Sequence, residues 1–233
     1  MIYCISDIHG EYVLFLKLLD KIALSKSDKL IICGDIIDKG PYSTQLLKFI
    51  SEMPNATVIN GNHEYTFLKL YWGLMRESPD DFDYVLTKLR EYFPTEGYKL
   101  DWEIVDWLEN RPYYIEEDDF ICVHAGVPLD KNNRVLPLER ATREQLVYDR
   151  NFKSPNLVIN DSKCVLYGHT PTGYLLNSDG RIIGYRRDGA KEDATGRCNI
   201  KDYYKVHLDT GAYLSGVLGC FCIDTCTCIY VKK

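Results

Sequence analysis

Short apolar runs that break off at a polar loop, where glycine stands beside aspartate or histidine, constrain the fold of this chain more than any other feature. Ile2 to Ile5 ends at Ser6-Asp7-Ile8-His9-Gly10. Leu30 to Cys33 ends at Gly34-Asp35-Ile36-Ile37-Asp38-Lys39-Gly40, and Ala56 to Ile59 at Asn60-Gly61-Asn62-His63-Glu64. Runs this short, stopped this way, read as buried strands rather than helices. Between them the spacing turns helical. Val13, Leu16, Leu19 and Ile22 form one predicted face of a helix from Tyr12. Leu46, Leu47 and Ile50 belong to a second helix, entered at Pro41 and reaching about Glu52 before Pro54. Strand, loop and helix, three times over, predict βαβ units with parallel strands. In such a sheet ligands bind in the crevice at the carboxyl ends of the strands, where these loops leave. A Walker loop is excluded, because Lys39-Gly40 runs in the wrong order and no Ser or Thr follows the lysine.

Phe67 to Asp119 carries aromatics, leucines and charges at helical spacing, with Pro79 and Pro94 as breaks, and predicts two or three helices capping one side. Its aromatics, among them Tyr71, Trp72, Tyr92, Phe93 and Tyr98, read as core or lid rather than as a ligand box. Strand returns at Phe120 to Val123, which delivers His124-Ala125-Gly126, and at Cys164 to Tyr167, which delivers Gly168-His169-Thr170. Arg140 to Arg150 has helical character. After Pro171 four runs, Arg181 to Tyr185, Tyr203 to Leu208, Val217 to Ile223 and Thr227 to Val231, read as antiparallel strands around a polar, mobile loop at Arg186 to Asn199. The expected architecture is α/β: a mixed β-sandwich flanked by helices, in which a sheet from the first half faces a second sheet from the last third. A single domain is expected over residues 1–233.

Lys and Arg total 28 against 34 Asp and Glu, so a net charge of −6 gives no footprint for duplex nucleic acid. Met1 leads straight into a strand-length run, and no apolar stretch approaches the roughly 18 to 20 residues that span a bilayer. Cys4, Cys33, Cys122 and Cys164 lie inside apolar runs, as small hydrophobes would in a reducing compartment. The expectation is a cytoplasmic protein with neither nucleic acid nor membrane as partner.

The chain has five histidines, and four of them, His9, His63, His124 and His169, lie in the strand-end loops. Imidazole mixed with carboxylate and one carboxamide suits divalent ions such as Mn, Fe or Zn, and no thiolate in the set marks a structural zinc. Seven groups are too many for one ion. A pair of ions about 3.5 to 4 Å apart, sharing a carboxylate, uses them well and is a known solution for phosphoester hydrolysis.

With these motifs in this order, together with Asp209-Thr210-Gly211, the sequence resembles the calcineurin-like metallophosphoesterases, and most nearly the serine/threonine protein phosphatases in their small bacterial and phage form. The resemblance implies that Asp7 and His9 bind a first metal, that Asp35 bridges two ions, and that Asn62, His124 and His169 bind the second. It makes His63 the general acid, supported by Asp38, and Arg150 in Tyr148-Asp149-Arg150 a clamp on the phosphate. Two departures bear on the substrate. The family has arginine where this chain has Lys39, and another arginine where it has Asn60; Lys39 keeps the charge without the bidentate fork, and Asn60 loses the charge.

Chemistry supports the same division of labour. A water shared by two divalent ions is hydroxide near neutral pH and needs no separate base to attack phosphorus. The leaving alkoxide still needs a proton, which a histidinium held by a carboxylate can give. The leading expectation is therefore a phosphatase of phosphoserine and phosphothreonine, extending to phosphotyrosine, with two divalent ions, Mn first and Fe or Zn behind it. The alternative is a hydrolase of a small phosphoester such as a dinucleoside polyphosphate. From another class comes a metal-binding module without catalysis, which would have little need of His63 and Asp38. His207 reads as a structural histidine or as support to the metals. Cys220, Cys222, Cys226 and Cys228 read as hairpin alternation or as a zinc site.

Overall fold

The computed structural model describes residues 1–78, 80–90, 102–190 and 198–233. Pro79, Pro94, Tyr92, Phe93, Tyr98 and the middle of the polar loop at 191–197, all singled out above, lie outside the described residues. The chain opens as expected with β1 (Ile2–Ile5), α1 (Tyr12–Ile22), β2 (Lys29–Ile32), α2 (Ser43–Ser51) and β3 (Ala56–Val58). Three helices follow, α3 (Asn62–Glu77), α4 (Phe82–Arg90) and α5 (Trp102–Glu109). After them come β4 (Tyr114–Glu116), β5 (Phe120–Val123), α6 (Arg143–Tyr148), β6 (Cys164–Tyr167), β7 (Ile183–Arg186) and β8 (Tyr203–His207). A short α7 (Ala212–Ser215) leads into the hairpin of β9 (Val217–Cys222) and β10 (Thr227–Lys232).

Two five-stranded mixed sheets result, in the orders β10-β9-β1-β2-β3 and β4-β5-β6-β8-β7. β1, β2 and β3 are parallel, as the βαβ pattern requires. The division into halves is corrected. The C-terminal hairpin returns to the first sheet, where β9 pairs antiparallel with β1, and the second sheet is built from the middle of the chain with β8 parallel to β6. Period-two alternation fixes which face a residue takes but not which strand it pairs with, so these late strands carried no sign of their sheet.

Alternation along the strands separates three cores. Tyr3, Ile5, Leu30 and Ile32 face α1 and α2; Cys4, Ile31 and Cys33 meet Phe120, Cys122, Cys164 and Leu166 between the sheets; Ile121, Val123, Val165 and Tyr167 face the α6 side. The face of α1 is also corrected. Val13 is 54% exposed and Leu16 is 37%, while Leu14, Phe15, Leu18 and Ile22 are buried. A spacing of three walks round a helix of 3.6 residues per turn, whereas the observed i, i+1, i+4, i+8 set stays on one stripe. Among the described residues no helix is long and apolar enough to cross a membrane.

Candidate active site

The loops after β1, β2, β3, β5 and β6 meet at one end of the two sheets. Their backbones are unusual: Asp7, His9, Asp35, Asp38, Lys39 and His169 all have φ between 48° and 73°. Non-glycine residues rarely enter this left-handed region, and such strain concentrates where side chains must be aimed. Close approach requires glycine at two points, because a Cβ on Gly61 would overlap the Asp35 side chain and one on Gly168 would overlap Ser6 and Asp7.

One buried residue ties the loops together. Glu64, fully buried at the third position of α3, accepts from the backbone N–H of Gly61 (2.8 Å), Asp35 (2.8 Å), Ile36 (2.8 Å) and Ile37 (3.1 Å). It thereby joins the β3 loop to the β2 loop. The sequence reading uses Glu64 as the last residue of the Asn60-Gly61-Asn62-His63-Glu64 motif, where it leans towards the protein phosphatases, and gives it no structural role; a glutamate three residues after Gly61 is also the local pattern of a capping box.

Asp35 lies between two groups of donors. Its Oδ2 is 3.5 Å from His9 Nε2, with Asp7 Oδ1 4.0 Å from the same nitrogen. Its Oδ1 is 3.4 Å from His124 Nε2 and accepts from the His63 backbone N–H at 3.0 Å. On this second side Asn62 Oδ1 sits 2.9 Å from His124 Nε2 and 2.7 Å from His169 Nδ1. The imidazole tautomers follow from their other contacts. His9 Nδ1 donates to the Ile37 carbonyl (2.9 Å) and His124 Nδ1 to the Cys33 carbonyl (2.8 Å), which leaves Nε2 of each as a lone pair aimed into the site. Burial pushes His9 down to about 4, against the pull of Asp7. Burial, with the charge of Arg150 adding to it, pushes His169 down to about 3 against the pull of Asp7.

This donor set fits cations. Asn62 Oδ1 and His124 Nε2 are both acceptors yet stand at hydrogen-bond distance, and Asp7, Asp35 and Asp209 are buried carboxylates at the same place. Burial raises Asp35 and Asp209 well above the carboxylate range, with the charge of Asp7 adding to both. Packing anions and lone pairs this densely is costly without positive charge between them. Asp7, His9 and Asp35 could hold one ion; Asp35, Asn62, His124 and His169 could hold another.

His63 stands at the rim. Its Nδ1 is 2.7 Å from Asp38 Oδ2 and its Nε2 is 3.7 Å from Asp35 Oδ2. Burial lowers its affinity for a proton, but the bond to Asp38 and the charge of Asp35 outweigh this and raise its pKa. His9, Asp35 and His63 also form a compact trio, so what separates His63 from the donor groups is its bond to Asp38. Lys39 Nζ lies 2.8 Å from His9 Nε2, on the first side. Arg150 is exposed and makes no ion pair among the described residues; it reaches the site through its charge on His169.

The weaker candidates resolve differently. His207 is buried, donates from Nε2 to the Thr170 carbonyl (2.7 Å) and stacks on Tyr167, so it braces the loop that carries His169. Asn60 is buried and gives its amide to the Leu108 carbonyl (2.9 Å) at the end of α5. The hairpin cysteines do not gather: Cys220 and Cys222 face the helix-side core, Cys226 lies against the inter-sheet core and Cys228 is exposed. A different trio, Cys4, Cys33 and Cys122, meets between the sheets.

The chain belongs to the calcineurin-like phosphoesterase family, which it matches over residues 1–208. The family is one of phosphoesterases, and the groups His9-Asp35-His63 and Asp35-His124-His169 could each hold a metal ion. Among curated relatives, the symmetrical bis(5'-nucleosyl)-tetraphosphatase of Methylococcus capsulatus is 34% identical over 130 residues, 54% of this chain and 43% of the relative. That of Nitrosomonas europaea is 32% identical over 127 residues, 54% of this chain and 44% of the relative. The match thus spans less than half the length of these relatives. A solved structure of a candidate diadenosine tetraphosphatase superposes with a TM-score of 0.68 at 17% identity, covering 99% of this chain and 92% of that one. A cold-active protein tyrosine phosphatase superposes at 0.62 and 17% identity, covering 99% and 77%. At these identities the two structures show a shared fold.

Proposed function

We propose that this chain is a two-metal hydrolase of dinucleoside polyphosphates that cuts the tetraphosphate bridge at its centre. The observation that carries the reaction type is the convergence of acceptors on Asn62 Oδ1 and Asp35, a site short of positive charge, beside the His63–Asp38 pair. What supports the substrate is that relatives up to 34% identical are named symmetrical bis(5'-nucleosyl)-tetraphosphatases. This reverses the order of the two expectations drawn from the sequence.

In this reading Asp7, His9, Asp35, Asn62, His124 and His169 hold two divalent ions, Mn first, with Asp35 shared. The chemistry such ions supply when bound is an activated water and neutralisation of phosphate charge. His63 gives the proton on Nε2 to the departing oxygen, and Asp38 orients the ring and keeps it protonated. Arg150 and Lys39 meet the phosphate oxygens from either side of the donor groups. A reducing cellular compartment suits the nine free cysteines.

A second reading, hydrolysis of phosphoserine or phosphothreonine, rests on the same His63–Asp38 pair, because a basic alkoxide needs an acid more than a departing diphosphate does. A panel of diadenosine tetraphosphate and phosphopeptides, assayed with added Mn, separates the two. The proposal expects kcat/KM for the dinucleotide to exceed that for every phosphopeptide, and the reverse order overturns it.

A further inference from the structure

We propose that Lys205 of β8 is the positioning residue for Arg150: its buried ammonium holds the carbonyls of Phe152 and Ser154, and so fixes the loop from which the Arg150 guanidinium meets the phosphate. This rests on the reading of Arg150 as a phosphate contact and is independent of which phosphoester is cut. Taking an ammonium out of water into an apolar core is costly unless polar partners receive it. Lys205 is fully buried, and the partners are there. The register of β8 against β6 sets Lys205 opposite Val165, on the face that looks towards α6. From that face Nζ donates to the Phe152 carbonyl at 3.1 Å and to the Ser154 carbonyl at 2.6 Å.

Aromatic faces complete the cage. The ring centres of Tyr185, Phe152 and Tyr204 lie 4.5, 5.6 and 5.9 Å from Nζ. A hydrophobic residue of similar volume would fill the same space without the cost of a buried charge. Packing alone therefore gives no reason for a lysine at this position, whereas the two carbonyls do. Both belong to the loop that leaves α6 through Arg150, a stretch with neither helix nor strand of its own. Its local bonds, from the Asn151 N–H to the Asp149 carboxylate (2.8 Å) and from the Ser154 N–H to the Asn151 carbonyl (3.0 Å), shape the turn but do not attach it to the body of the protein.

Attachment comes from Phe152 and Lys205. The Phe152 ring is fully buried, meets Tyr167 edge-on at 5.0 Å and packs so closely on Gly126 that a Cβ there would lie 2.7 Å from its own. Lys205 then fixes the carbonyl of the same residue. Two residues of chain span at most about 7 Å, so a shift at Phe152 is passed on to the Arg150 backbone. Arg150 is exposed and makes no ion pair among the described residues, which leaves its aim to the backbone that carries it. β8 in this way serves two loops at once. Lys205 holds the Arg150 loop, and His207, two residues on, holds the Thr170 carbonyl beside His169. The two loops act at one place, because the charge of Arg150 is felt at His169.

A double-mutant cycle tests this, read by calorimetry of inorganic phosphate binding to the full chain loaded with Mn, with metal content measured in every variant. Arg150→Gln should weaken phosphate by about ten- to a hundredfold, as the loss of a charge-assisted contact does. Lys205→Met, which keeps the volume and removes the ammonium, should weaken it by about five- to tenfold at unchanged metal content, and Lys205→Gln, which keeps an amide donor, should recover part of that loss. In the Arg150→Gln background, Lys205→Met should alter phosphate affinity by less than about twofold, because the two changes then act on one contact. The same cycle is run with Lys205→Gln where Lys205→Met does not fold. Equal losses in the two backgrounds would show that Lys205 acts on the fold at large and would overturn the inference, as would wild-type phosphate binding in a folded Lys205→Met protein; both leave the Arg150 contact standing. Wild-type phosphate binding in Arg150→Gln would remove the contact and the inference together.

Discussion

Replacing Glu64 by glutamine changes one atom and should disable both the fold and the site. Each carboxylate oxygen of Glu64 accepts two backbone N–H groups: Oε1 those of Ile36 and Ile37, Oε2 those of Asp35 and Gly61. Whichever oxygen becomes the amide NH₂ then faces two donors with a donor. Hydrogen bonds to a charged group are worth about 1.5 to 3 kcal/mol each, so losing two costs about 3 to 6 kcal/mol. That is a large part of the roughly 5 to 15 kcal/mol that holds a native protein together. Where Oε2 is the atom replaced, the change also releases the Asp35 backbone, whose φ of 55° has little reason to persist once its N–H loses its acceptor; where Oε1 is replaced, the next two N–H groups of the same loop are released. Urea unfolding monitored by tryptophan fluorescence reads the stability, and metal analysis of the folded fraction reads the site. A loss below about 1 kcal/mol, with metal content unchanged, would refute the assignment of Glu64 as the tie between the two loops.

Three more predictions concern single residues. Asp35→Asn should reduce bound divalent metal more than the same analysis finds for Asn62→Ala or His9→Ala, because Asp35 alone faces both donor groups; normal metal in a folded variant would remove the shared-carboxylate role. His63→Asn should cost about 10² to 10⁴ in kcat on an alkyl phosphate and clearly less on the phosphoanhydride or a nitrophenyl ester, since the more basic leaving group depends more on the proton. Equal losses, with metal still bound, would mean that His63 is not the acid. Lys205 is fully buried, donates to the Phe152 (3.1 Å) and Ser154 (2.6 Å) carbonyls and is pushed down to about 8 by burial from 10.5. Between those values the unfolded chain binds the extra proton, so stability arising from this group rises with pH over that window. Lys205→Met should flatten the rise in a pH series of unfolding midpoints, and an unaltered slope would show that Lys205 carries its ordinary pKa.

The groups that make the site were legible because chemistry restricts them to few residue types and the strand ends mark their places. Asp7, His9, Asp35, Asn62, His63, His124 and His169 meet at one end although they come from five separate loops. What stayed hidden depended on partners. Nothing in Val217 to Cys222 says that it pairs with β1 rather than with the second sheet, because the face pattern suits either. Glu64 stood in the sequence only as the end of the β3 loop motif, and the folded β2 loop shows that it serves the N–H groups of Asp35, Ile36 and Ile37. Lys205 sits in a strand where its charge argued for exposure, and the carbonyls that hold it belong to residues some fifty positions earlier. The aromatic segment read as core or lid rather than as a ligand box, and among the described residues Phe67 and Tyr71 are buried while Trp72 and Trp102 are exposed.

The central claim is that water, rather than a side chain of the enzyme, opens the middle of a tetraphosphate bridge. The most direct measurement is product analysis after turnover of diadenosine tetraphosphate with Mn in ¹⁸O-labelled water. The account predicts ADP as the sole nucleotide, with one label on the terminal phosphate of half the molecules. ATP with AMP as products, label absent from ADP, or an intact dinucleotide beside rapid release of phosphate from phosphoserine peptides would each contradict it.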